Sequence, residues 1–377
     1  MKTNDMKIAA IEIYHVHLPY AGGVYRLSGG REYHGFDAAI VKITTDTGLE
    51  GWGESTPFGA SYIAAHYGGV IAALEVLAPS LIGMDPRLHD RINDRMDEVM
   101  KGQLAAKTAI DVACWDIAGK FYDMPVADLL GGRIDGAVPV ISSIGGDTPD
   151  AMRAAVANFR QQGFLGHSIK IGAATEEGGP ALDAERIKAC LSDKKDHEWF
   201  LVDANGGLTP EHILRMMALL PTGLDFVLEA PCATWAETMS VRARLNHPLL
   251  LDELAESEAD IISAIRHDLC DGIGIKISKQ GGLTKSRRQR EICRAAGLVT
   301  SVQDTVGSDI AFAAILHFAQ STPRNMLRCA LDTRSMVSLT TAQFNAPIKD
   351  GGAMIPPVPG LGVTPDLDVL GAPISVY

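Results

Sequence analysis

The sequence predicts an α/β protein: a (β/α)8 TIM-type barrel behind a smaller N-terminal α+β domain. Three observations carry that expectation. A chain of 377 residues exceeds one small core and suits a large barrel plus a second domain. From about residue 134 onward, short apolar runs recur roughly every 25–30 residues, with amphipathic helix patterns between most of them. The runs also end, one after another, in charged or amide side chains, where the mouth of a parallel barrel would lie.

The elements follow in order. "KIAAIEIYHVHL" and "AAIVKITTDTGLEGWGE" read as strands, joined by "PYAGGVYRLSGGREYHG". That joining stretch is long, glycine-rich and holds three tyrosines, the composition of a mobile loop. From about Ala64 to Lys120 the pattern is helical, in "AALEVLAPSLIG", "LHDRINDRMDEVM" and "AAKTAIDVACWDIAGKFY". The barrel strands are "VPVISSI", "HSIKIG", "WFLVDAN", "DFVLEAP", "LLLDEL", "GIGIKIS", "VTSVQDT" and "MLRCALD". Between them, "TPEHILRMMALLP" has Thr209 as N-cap and Pro210 at the first helical position. "TKSRRQREICRAAG" is closed by Gly297. A doubly wound sheet is the alternative, but no GxGxxG follows an early strand. The Pro/Gly-rich end, "GGAMIPPVPGLGVTPDLDVLG", is expected to return to the N-terminal domain. The expected divisions are 1–133 for the α+β domain, 134–335 for the barrel and 336–377 for the returning segment.

Bulk properties exclude several function classes. Hydrophobic residues make up 46% and charged residues 21%, as in a soluble globular enzyme. A net charge of −12 disfavours nucleic acid and anionic membrane as partners. No apolar run reaches transmembrane length, and "MKTNDMKIAAIEIYHV" lacks the pattern of a signal peptide. Six scattered cysteines without a CxxC pair read as buried free thiols in a reducing, cytoplasmic setting.

The chemistry lies at the strand ends. Lys170 closes the second strand, Asp203 and Asn205 the third, Glu229 the fourth, Asp252 the fifth, Lys276 the sixth and Asp304 the seventh. Any one of these could be an ordinary salt-bridge partner, but six ends in succession point to one mouth. Three carboxylates on adjacent strands need a cation to stay ionised together. An all-oxygen ligand set without His or Cys suits Mg²⁺. Lysines on strands two and six flank it, and a lysine in a dry, cation-rich site has a lowered pKa and can act as a base. Metal and lysine together fit removal of a proton alpha to a carboxylate. A Schiff-base lyase with Lys170 as nucleophile, or a non-catalytic barrel, are the competing classes.

The motifs "GLEGWGES", "AIDVACWDIAGK", "LVDANGG", "VLEAP", "LLDE" and "IKISKQGGLT" resemble the enolase superfamily over essentially the full length, in its muconate-lactonizing subgroup. The resemblance implies a modified (β/α)8 barrel under an α+β capping domain completed by the C-terminal tail. It implies one Mg²⁺ per subunit on Asp203, Glu229 and Asp252, with Lys170 and Lys276 as acid/base residues. It also implies a homo-oligomer, a dimer or an octamer. The subgroup commonly has KxK on strand two, and this chain has "SIK", so Ser168 stands where relatives carry a second cation. It has "EAP" where "EQP" is commoner, and it lacks the His–Asp pair of mandelate-racemase-like members. The whole pattern is similar to members acting on hydroxyproline-type compounds. The implied reaction is dehydration of cis-3-hydroxy-L-proline to Δ1-pyrroline-2-carboxylate, with racemisation or epimerisation of a proline-like or other amino-acid derivative as the alternative. Ser168, Asn205, Asp304 and Tyr62 are the expected substrate contacts. Asp304 would face the substrate ammonium, or serve as a helix N-cap or a partner of Lys276. Tyr20, Tyr25, Tyr33 and Tyr62 are the tyrosines able to close over the site.

Overall fold

A computed structural model describes residues 5–377; the first four residues, part of the stretch read for a signal peptide, lie outside the described residues. Strands Ile8–Pro19, Gly35–Thr45 and Glu50–Ser55 form an antiparallel sheet, and Ser375–Val376 from the chain end adds to its free edge. Helices Tyr67–Leu77, His89–Val99 and Leu104–Phe121 cover one face. The last of these is buried around nearly its whole circumference, because it is sandwiched between the sheet and the barrel. Close contact with the sheet depends on the glycines of "GLEGWGES". A Cβ on Gly53 would lie 2.0 Å from the carbonyl oxygen of Ala109, and one on Gly51 would lie 2.2 Å from that of Ala113. On the barrel side, Trp115 Nε1 donates to Thr284 Oγ1 at 2.9 Å.

Eight parallel strands make the barrel: Val138–Ile144, Gly166–Lys170, Trp199–Asp203, Val227–Glu229, Leu249–Leu251, Gly272–Lys276, Val299–Gln303 and Leu327–Leu331. The eighth closes on the first through the pairs Ala330–Val140 and Leu331–Ile141. The eight runs read from the sequence are these eight strands. Thr209 caps the helix Pro210–Ala218 by accepting from His212 N, and Gly297 ends Leu283–Ala296 in a left-handed conformation.

The barrel departs from eight full β/α units at its end. After Leu327–Leu331 comes only a 3-10 turn, Thr333–Met336, rather than an outer helix. The chain then forms a small antiparallel pair, Ala342–Phe344 with Val363–Pro365. It also adds Gly352–Ala353 antiparallel to the start of the first barrel strand before reaching the N-terminal sheet. All six cysteines are buried free thiols. Among the described residues, no helix is long and apolar enough to cross a membrane.

The glycine-rich stretch read as a loop holds a short hairpin, Tyr25–Leu27 with Arg31–Tyr33, turning at Ser28–Gly30. It lies over the C-terminal ends of the barrel strands: Gly29 N donates to Gly172 O just past the second strand.

Candidate active site

Strand register places the charged residues side by side. Lys170 pairs with Asp203, and Asp203 with Glu229, so strands two, three and four end at one level. Asp252 follows Leu251, the last residue of strand five, and Lys276 ends strand six in register with Gln303. Two residues just past these ends have left-handed backbone without being glycine, Asn205 (φ 45°) and Ala230 (φ 41°). Such conformations cost free energy and concentrate where a fold fixes functional groups.

A cavity opens at this mouth, lined by Tyr25, Tyr62, Ser168, Lys170, Lys276 and Gln303 among others. Asn205 and Asp304 also reach it. Every expected substrate contact therefore lines one cavity with both lysines. Of the four tyrosines, Tyr25 and Tyr62 line it. Tyr20 packs edge-on against Tyr25, and Tyr33 is held by Ser61.

The carboxylates and lysines interlock. Lys170 Nζ donates to Asp203, and Lys276 Nζ donates to Asp252 and to the Tyr62 hydroxyl. Tyr62 Oη donates to Asp252 Oδ2 at 2.8 Å, and Lys279 Nζ to Asp252 Oδ1 at 2.8 Å. Asn205 Nδ2 bridges Asp203 Oδ2 (3.0 Å) and Glu253 Oε1 (3.1 Å). Gln303 Nε2 donates to Glu229 Oε1 at 3.0 Å.

The electrostatics follow from this pairing. Burial pushes the Glu229 carboxyl well above the usual range, reinforced by the charges of Asp203 and Asp252. Burial likewise raises Glu253 to about 7, with Asp252 next in importance. Burial opposes ionisation of Asp252 too, but Lys276 and Lys279 outweigh it and hold that carboxyl low. The expectation of a lowered lysine pKa is not met here. Burial acts to lower Lys170, yet Asp203 overrides it and raises the ammonium above its ordinary value, as Asp252 does for Lys276. The cause is that each ammonium lies directly on a carboxylate, where the sequence reading had put a divalent ion between them.

In this cluster three buried oxygens have no hydrogen-bond partner among the described residues: Glu229 Oε2, Asn205 Oδ1 and Glu253 Oε2. Unpaired buried acceptors around a carboxylate cluster fit a hard, oxygen-binding cation. Asp203, Glu229 and Asp252 are the groups that could hold it. As the side chains stand, no group of three carboxylate, imidazole or thiol residues among those described is gathered closely enough to grip an ion. The lysine ammoniums occupy two of the three carboxylates instead.

Asp304 is more constrained than expected. Its Oδ1 accepts from Ser278 Oγ and from Thr305 N (2.7 Å), and its Oδ2 from Ser278 N (3.1 Å). It ties the end of strand seven to the turn after strand six while still edging the cavity. Burial raises its carboxyl to about 6 against those hydrogen bonds. Sequence reading missed Gln303, Glu253 and Lys279. Side-chain alternation could have found Gln303, which shares the inward face with Ser301 and donates to Ser301 Oγ at 2.8 Å. Glu253 and Lys279 lie past their strand ends, where alternation no longer applies.

Fold and site together define an enzyme of the enolase superfamily, to which this chain belongs. Residues 151–369 match the enolase C-terminal domain-like family, and residues 32–131 match the mandelate racemase/muconate lactonizing enzyme N-terminal domain. The chain is 38% identical over 373 residues to a cis-3-hydroxy-L-proline dehydratase from Roseibium aggregatum, covering 99% of this chain and 100% of that protein. An N-succinyl-L-Arg/Lys racemase from Bacillus cereus is 29% identical over 323 residues, 84% of this chain and 85% of the racemase. Among solved structures, a mandelate racemase/muconate lactonizing-type protein from Roseovarius nubinhibens, complexed with magnesium, superposes with a TM-score of 0.97. It is 65% identical, with 98% of this chain and 100% of that chain covered.

Proposed function

We propose that this chain dehydrates cis-3-hydroxy-L-proline to Δ1-pyrroline-2-carboxylate, using Mg²⁺ held by Asp203, Glu229 and Asp252. The observation that carries this reading is one cavity shared by Lys170, Lys276 and a small neutral Ser168, above a buried carboxylate cluster with unpaired oxygens. The relatives support the amino-acid assignment, since both the dehydratase and the racemase act at such a centre by name.

When bound, Mg²⁺, one per subunit, supplies positive charge against the substrate carboxylate as its alpha proton leaves. Asp203 would be one of the three residues that hold the cation, and Lys170 Nζ, as the neutral amine, would take the alpha proton. Ser168, one pleat repeat behind Lys170, has no side-chain hydrogen bond among the described residues and leaves room for the substrate ring beside that lysine. The alpha hydrogen and the 3-hydroxyl of the cis isomer lie on opposite faces of the ring, so the Lys276 ammonium, across the cavity, gives its proton to the departing hydroxide, releasing water, and the resulting enamine tautomerises to the cyclic imine. Asp304 contributes negative charge near the substrate ammonium, Asn205 orders Asp203, and Tyr62 closes the cavity above Lys276.

A second reading rests on the two lysines lining the same cavity. Lysines on opposite sides of an alpha carbon can exchange its proton, giving a racemase or epimerase. A panel of proline and hydroxyproline isomers in D₂O, followed by proton NMR, separates the two. We expect water loss from cis-3-hydroxy-L-proline and little turnover of the trans isomer. Rapid epimerisation of 4-hydroxyproline or a betaine, with 3-hydroxyproline untouched, would replace the dehydratase reading with the epimerase one.

A further inference from the structure

We infer that Gln303 Oε1 is the oriented acceptor for the substrate's ammonium N–H, a role the sequence had given to Asp304. This rests on the amino-acid reading of the site and names the group that recognises the amine.

The orientation of the Gln303 amide is fixed by its neighbours. A buried carboxylate can only accept, so the face toward Glu229 Oε1, at 3.0 Å, must be the –NH₂. Its other hydrogen goes to Ser301 Oγ at 2.8 Å. Both donors are then spent inside the protein, and the carbonyl oxygen is turned the other way. Among the described residues that oxygen has no hydrogen-bond partner, yet it is not one of the fully buried, unpartnered polar atoms. It is therefore open, and the space Gln303 borders is the cavity between Lys170 and Lys276. Gln303 also stands in register with Lys276 on the neighbouring strand.

Asp304 is less suited to a directed contact. It lies one residue past the strand, and one of its oxygens already takes two donors while the other takes a third. A neutral acceptor at 303 has a further advantage. A carboxylate there would set a like charge against the Glu229 side chain that Gln303 touches. The amide accepts from the ammonium without that repulsion, and Asp304 supplies charge from a distance.

The test compares two ligands that are both positively charged at nitrogen: L-proline, with two N–H donors, and its N,N-dimethyl betaine, with two methyl groups in their place. Binding to the Mg²⁺-loaded protein is measured by calorimetry, with Mg²⁺ affinity titrated separately. The unsubstituted protein should prefer L-proline, and Gln303→Met should shrink that preference at least about tenfold, since a hydrogen bond from a charged donor is among the stronger ones. Asp304→Asn should weaken both ligands together and leave the preference intact, because both carry the charge.

The assignment is overturned if Gln303→Met weakens both ligands equally, which would mean that Gln303 only braces Glu229. It is also overturned if the preference disappears in Asp304→Asn instead. Should Gln303→Met fail to fold, the unsubstituted protein still decides: no preference for L-proline over the betaine removes any N–H acceptor. If neither ligand nor any hydroxyproline isomer binds, the amino-acid reading of the site falls as well. Binding with an unchanged preference in Gln303→Met removes this assignment alone.

Discussion

Lys170 and Ser168 share one face of one strand, and the chemistry proposed for this chain depends on that pair. Lys170→Ala should lose alpha-proton exchange in D₂O by at least about 10²-fold, the usual scale of a general-base contribution. Lys276→Ala should be severely impaired too, because its ammonium neutralises Asp252 and faces the same cavity. Near-normal exchange in both variants would show that the lysines are structural. Ser168→Lys places a second ammonium about one pleat repeat from Lys170, inside a buried strand. It should lower dehydration by crowding the substrate and by competing for Asp203, and a variant that dehydrates as fast as the parent would remove Ser168 from the argument. Metal dependence belongs to this scale as well. EDTA should abolish turnover and Mg²⁺ should restore it, while Asp203→Ala, Glu229→Ala or Asp252→Ala should each remove nearly all activity with the circular dichroism spectrum retained. Full activity after thorough chelation would end the metal assignment.

The hairpin from Tyr25 to Tyr33 is the element that closes the cavity, and it is held by contacts distant in sequence. Arg31 clasps the turn through Ser28 O (2.9 Å) and Ser28 Oγ (2.8 Å), and reaches Ser61 O at 2.7 Å in the stretch that carries Tyr62. The turn rests on Gly172, which has φ +107° and where a Cβ would lie 2.6 Å from Ser28 Cβ. Gly172→Ala therefore combines backbone strain of about 1–3 kcal/mol with a push on the hairpin. We expect kcat/KM to fall about tenfold, mainly through KM, with little change in far-UV circular dichroism. An unaltered KM would show that the hairpin does not set access to the cavity. This element was not legible in the sequence, where "YRLSGGREY" reads as glycine-rich loop, because what orders it is Arg31, Gly172 and Ser61 rather than local propensity. The barrel strands were legible for the opposite reason. Each is a short apolar run that makes strand and inward-facing charge visible together, as in "HSIKIG" and "WFLVDAN". The missing eighth outer helix was not, since the tail that follows Leu327–Leu331 gives no sign of where it will pack.

At the scale of the whole molecule, the cavity is lined by residues of both cap and barrel, and one of the joints between them is a buried carboxylate. Strand-end spacing exposed Asp203, Glu229 and Asp252 in the sequence, but nothing local marks Glu54, whose partners lie more than 250 residues away. Glu54 ends a run of the cap sheet at 2% exposure and meets the N-terminus of helix Asp309–Gln320, where backbone N–H groups and the helix dipole favour an anion. It accepts from Ser308 N at 2.8 Å, Ser308 Oγ at 2.5 Å, Ala311 N at 3.1 Å and, within the cap, Thr56 Oγ1 at 2.7 Å. Next to it, Thr305 Oγ1 donates to Thr56 O at 2.6 Å, so the same joint fixes the loop that carries Asp304 and Thr305 at the cavity. Glu54→Ala would strand several of these donors in a dry interface, each at a cost of about 1–3 kcal/mol. Glu54→Gln keeps the shape but turns an –NH₂ toward groups that are themselves donors, so it should rescue only part of the loss. The expected result is a lower thermal midpoint in the order parent, Glu54→Gln, Glu54→Ala. It should come with a rise in KM larger than the fall in kcat, because the loosened joint frees the seventh loop without touching either lysine. A melting temperature in Glu54→Ala equal to the parent's would mean that the other cap–barrel contacts, such as Trp115 to Thr284, hold the joint and that this carboxylate contributes nothing to it.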